Sequence, residues 1–88
     1  MGFTKKEIEQ SNNYIRALYG YRCVRCSKKA SMVHEIEPRS KRPNDWIAVS
    51  NRVLLCAICH EFIHANGTAN YEWELQLAQA RVLGLNGG

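Results

Sequence analysis

The sequence has no apolar run long enough to cross a bilayer, and its opening stretch, MGFTKKEIEQ, lacks the hydrophobic segment of a secretory signal. It carries no internal repeat and no low-complexity tract, which excludes solenoid and tail-like architectures. It also lacks length. Eighty-eight residues make one domain, 1–88, near the lower limit for a core that holds itself together. A chain this short commonly needs a disulfide, a metal or a partner as a staple. The expectation is a soluble cytoplasmic protein with no membrane partner, in a compartment where disulfides are rare and paired cysteines hold metal.

What is present is concentrated. Histidine is scarce, at three residues, and cysteine numbers four, yet two of each fall within "VLLCAICHEFIH", residues 53–64. The formal charge is +4, but the stretch from Arg22 to Arg52 holds eight basic residues against three acidic ones. A basic centre around the cysteines and histidines favours a polyanion, above all nucleic acid, although an ordinary solvated surface would have the same composition.

Thr4-Lys5-Lys6-Glu7 has the form of a capping box, and Ile8, Ile15, Leu18 and Tyr19 then share one helical face, predicting a helix over about 5–19 that stops at Gly20. "SMVHEI" reads as a short strand ended by Pro38, "RSKRPND" as a polar basic loop, and Trp46 to Val49 as a return toward the core. "RVLL" predicts a second strand, and residues 57–65 a short helix broken at Asn66-Gly67. Tyr71, Leu75, Ala78 and Val82 place a last helix over about 69–83, with Gly84 as its end. The two terminal helices read most simply as core-building elements, the alternative being that they dock a partner in a protein-interaction finger.

The cysteines form two C-x2-C pairs, Cys23/Cys26 and Cys56/Cys59, separated by 29 residues. Each pair can turn two thiolates inward, and four sulfurs complete the tetrahedron that zinc accepts. The gap is long enough to insert a hairpin, and the second pair opens a helix, so the expected arrangement is treble-clef-like: knuckle, hairpin, helix. A redox pair would need only one C-x2-C in a thioredoxin-like strand–helix context, which is absent.

His60 and His64 stand four apart on the short helix and so project from the same face. Cys59 is about 100° from His60 around the axis, so the cysteine can face one metal while the histidines face another. His34, on the first strand, can join them in an all-histidine site with open positions, which is catalytic in style. The residues alone also admit two plainer arrangements. In one, His60 or His64 completes the zinc site and a cysteine is left free; in the other, the histidines are merely hydrogen-bonded.

"VHEIEPRS" followed by "NRVLLCAICHEFIH" resembles the HNH endonuclease family in its zinc-stabilised phage and bacterial form, over residues 23–64. The resemblance implies a small α+β fold: a ββα-metal core with structural zinc, flanked by N- and C-terminal helices. It implies His34 and His60 as ligands of a catalytic divalent cation (magnesium, manganese, nickel or zinc), His64 as a further ligand, and Asn51 as the residue bracing the loop between the strands. The family's general-base histidine, three before the proline, is here Glu35, which is expected to activate or orient the water. Arg39, Lys41, Arg42 and Arg52 are expected to contact the backbone of DNA without reading its sequence. The implied activity is hydrolysis of DNA phosphodiesters with low sequence specificity, in a bacterial or phage-infected cell. Phage packaging or other DNA-processing proteins are the partners that the family suggests. The alternative is a non-enzymatic zinc finger that binds nucleic acid, its nuclease unit having decayed at residue 35.

Overall fold

The computed structural model describes residues 2–84. Three helices surround one two-stranded antiparallel sheet, in the order α1 (Lys5–Leu18), β1 (Met32–Glu35), β2 (Arg52–Leu55), α2 (Ala57–Asn66) and α3 (Glu72–Leu83). Short 3-10 turns at Val49–Asn51 and Thr68–Tyr71 lead into β2 and α3. No helix among the described residues is long and apolar enough to cross a membrane.

α1 begins at the expected capping box. Thr4 N–H donates to Glu7 Oε1 at 2.8 Å, and Glu7 N–H donates back to Thr4 Oγ1 at 3.1 Å, so two otherwise orphaned donors are satisfied. It ends where Gly20 takes a left-handed φ of +61°, with Gly20 N–H on Ala17 O and Tyr21 N–H on Arg16 O. That pairing closes the last turn and sends the chain into the first cysteine pair. Ile15 and Tyr19 are buried, while Leu18 stays at the surface.

The strands pair without a bulge, Met32 opposite Leu55 through Glu35 opposite Arg52. All four residues of β2 are buried, since helices and loops cover both of its faces. The core joins Ile15, Tyr19, Ile36, Val53, Leu54, Leu55, Ile63 and Leu75 with three of the cysteines.

The last helix differs from its expected face. Leu75 is buried as expected, but Val82 is about half exposed, and the inward line continues instead through Gln79 and Leu83. Gln79 is only 4% exposed, and its amide donates to Val49 O at 3.2 Å and Arg52 O at 3.3 Å. A polar residue with backbone acceptors can sit in a core, and this one hides the true apolar line from a hydrophobicity pattern.

Candidate metal and active centre

α2 carries the site because its two faces do different things. Cys56 caps the helix, its sulfur accepting from Cys59 N–H at 3.4 Å, and Cys59 faces the core beside Ile63. The other pair lies on a tight turn closed by Cys23 N–H to Lys28 O at 2.7 Å and Ser27 N–H to Cys23 O at 2.9 Å. Val24 N–H donates to Leu54 O at 2.8 Å, which ties this turn to β2. The four sulfurs come within 4.8 Å of one another, with Cys26 and Cys56 at 3.6 Å. Such a cluster could hold a metal ion such as zinc.

The chemistry of the donors fits a cation. Backbone donation from Cys59, foremost, pulls the Cys56 thiol down to about 7, whereas burial, foremost, pushes Cys59 up to about 12. Four thiolates cannot share so small a space without positive charge between them. Arg25 N–H donates to Cys23 Sγ at 3.4 Å, and its guanidinium reaches Cys59 Sγ at 3.9 Å. That guanidinium also lies 4.8 Å from the Phe62 ring centroid and bonds Glu74 at 2.7 Å, linking the cysteine cluster to α3.

His60 and His64 leave a second side of α2 and meet His34 from β1. Their ligand atoms also lie within 4.8 Å of one another, with ring centroids 5.8, 5.8 and 4.2 Å apart. His34 is 7% exposed, and its Nε2 is buried with no hydrogen-bond partner. Burial first, then the nearness of His60 and His64, lowers the His34 pKa to about 4, so it stays neutral and keeps a lone pair to offer. The His60 pKa is lowered too, by burial first and then by His64, with Glu61 opposing. A buried, unpartnered nitrogen on a histidine grouped with two other imidazoles fits a ligand set that could hold a cation. The plainer arrangements are not seen here: no histidine joins the cysteine cluster, and the three imidazoles face one another.

The trio opens into a cleft of about 320 Å³, lined also by Val33, Glu35, Pro38, Arg39 and Thr68. Glu35 closes β1, and its carboxylate faces two cations: Arg39 Nε at 3.4 Å and Arg52 Nε at 3.8 Å. Asn51 is 1% exposed and spans the long inter-strand loop. Its amide donates to Glu37 O at 3.0 Å and Trp46 O at 2.9 Å, and its Oδ1 accepts from Glu37 N–H at 2.8 Å.

The four expected phosphate contacts separate. Arg39 is exposed at the cleft; Lys41 pairs with Glu72 at 3.4 Å, and Arg42 with Asp45 at 2.6 Å. Arg52 requires correction. It is 2% exposed, with its guanidinium held inside by Ser11 and Asn12 of α1, so it cannot reach a polyanion at the surface. Directly opposite Glu35 on a covered strand, it is a buried strut between sheet and helix. Arg25 at the cysteine cluster, and Trp46, which stacks at 3.7 Å on the cleft residue Arg39, give no periodic signal in the sequence, because the contacts that recruit them come from the fold.

Comparison with family models, with curated proteins and with solved structures finds no match for this chain.

Proposed function

We propose that this chain is a metal-dependent endonuclease of HNH type that hydrolyses DNA phosphodiester bonds. The observation that carries the reading is the histidine trio: three imidazoles from two elements, with a buried orphaned nitrogen, at the edge of an open cleft. In this reading the knuckle, hairpin and α2 form a treble clef. Cys23, Cys26, Cys56 and Cys59 hold a structural zinc, while His34, His60 and His64 hold the catalytic divalent cation.

When bound there, such a cation supplies charge to polarise a phosphate and to stabilise the departing oxygen. The chain's own part is to keep three imidazole donors on one spot and to leave one side of that spot open. Neutral ligands leave the cation's charge uncompensated for an anionic substrate. Asn51 fixes the loop that forms one wall. Glu35 is the only carboxylate lining the cleft among the described residues and is the expected general base, yet both of its oxygens face guanidinium groups. That pairing favours the alternative reading, a zinc module that binds nucleic acid without cutting it. The histidine trio weighs against it, since a binding module has no need of a second ligand set.

The test is incubation with supercoiled plasmid and added magnesium, manganese, nickel or zinc, beside a metal-free control. Relaxed or linear product that depends on the added metal supports the nuclease. Intact plasmid with every metal, despite tight binding, leaves the zinc module.

A further inference from the structure

We propose that Arg39 contacts the substrate phosphate at the histidine cleft, and that Glu35 and Trp46 are positioning residues that hold its guanidinium for that contact. The inference rests on the phosphodiester reading and deepens it.

Among the loop cations only Arg39 is both in the cleft and incompletely engaged. Lys41 is drawn to Glu72, and Arg42 gives Nε and Nη2 to Asp45. Arg52 is buried. Arg39 lines the cleft beside all three histidines, and its side chain remains 57% exposed. Its Nε faces Glu35 Oε1 at 3.4 Å, and its central carbon lies 3.7 Å from the Trp46 ring centroid. One edge and one face are therefore held. The two terminal nitrogens have no protein partner among the described residues, and they form the planar fork that matches two phosphate oxygens.

The support is built outward from the core. Trp46 is 6% exposed, Phe3 meets its ring edge-to-face at 5.6 Å, and its carbonyl accepts from Asn51. Glu35 sits at a strand end opposite Arg52, which α1 holds in turn. A side chain restrained this way loses less freedom on binding than a free surface arginine, and stacking on tryptophan does not consume its donors. The geometry gives Glu35 a task other than taking a proton: it holds one edge of Arg39 and so aims the other.

The experiment measures affinity for a short duplex oligodeoxynucleotide by fluorescence anisotropy, with the cysteine-site zinc in place and no other divalent cation added. Wild type, Arg39→Ala, Glu35→Gln, the double variant and Lys28→Ala are compared. Lys28 is an exposed cation outside the cleft, so its variant reports the loss of one charge alone. Arg39→Ala is expected to weaken binding roughly tenfold, and Lys28→Ala much less. Glu35→Gln should weaken it roughly threefold, with that loss vanishing in the Arg39→Ala background because the carboxylate acts through the arginine. Cleavage with added metal is measured on the same set.

Equal binding losses for Arg39→Ala and Lys28→Ala overturn the proposal. So does a loss of cleavage by Glu35→Gln that persists undiminished in the Arg39→Ala background, because Glu35 then acts directly as base. Wild-type protein that binds but never cleaves refutes the nuclease reading alone; the binding cycle still decides whether Arg39, aimed by Glu35, is the phosphate contact.

Discussion

The cysteine cluster and the histidine cluster share a helix of ten residues but are built to opposite ends. Around the cysteines the chain closes in. Three of the four are buried, backbone N–H groups point at two sulfurs, and Arg25 covers a third. Around the histidines it opens. His34 is buried, His60 is half-buried, His64 is exposed, and the space beyond them is a cleft. A closed sulfur set serves stability, whereas an open nitrogen set leaves room for a substrate. α2 can do both because Cys56 sits at its cap and residues 59 and 60 lie about 100° apart around its axis.

The harshest way to break the contrast is on the closed side. Cys56→Ser should largely unfold the domain, because structural zinc in small modules contributes roughly 10 kcal/mol or more of apparent binding energy. Circular dichroism and elemental analysis would read the loss together; a folded, zinc-free variant would remove the staple from the account.

The matching change on the open side should spare the fold. His60→Ala is expected to abolish metal-dependent cleavage while zinc content and circular dichroism stay near wild type. Unfolding, or loss of the zinc, would show that the two clusters are one site.

Between them in size stands the loop brace. Asn51→Ala removes three hydrogen bonds, one buried and two part-buried, and takes their side-chain partner from three backbone groups, costing about 2–4 kcal/mol. Urea denaturation would measure it. A change below about 0.5 kcal/mol would mean that the loop holds its shape without Asn51.

The smallest effect is a slope. Between about pH 6.5 and about 4 the unfolded chain takes a proton at residue 34 that the folded chain refuses, so stability falls as pH falls. The slope approaches about 1.4 kcal/mol for each pH unit in protein whose histidine cluster holds no cation. Parallel urea titrations of wild type and His34→Asn at pH 7 and pH 5 isolate it, since other acid effects are common to both. Identical pH dependence in the two proteins would show that His34 is not held neutral by its burial.

Much of the closed side can be read in the chain. The C-x2-C pairs, the capping box at Thr4 and Glu7, and "RVLL" as a strand are local signals, set by turn geometry, capping chemistry and a short apolar run. So is the sharing of α2 between cysteines and histidines, which follows from the 3.6-residue period. Whether His34 reaches His60 and His64 is another matter, since it depends on the register that sets His34 against Val53 and on how α2 packs on that sheet. Arg52 shows the limit most clearly. In sequence it is one more basic residue of a basic segment; in the fold it lies in a strand covered on both faces, where Glu35, Ser11, Asn12 and the Trp46 ring make its charge tolerable. Gln79 misleads in the same way, because its partners are carbonyls 27 and 30 residues away. Residue type and spacing alone determined which donors this protein carries and which helix face presents them. Tertiary packing decided which charges are buried, which arginine stands at the cleft, and what Glu35 faces, because those outcomes depend on how separate segments of the chain pack together.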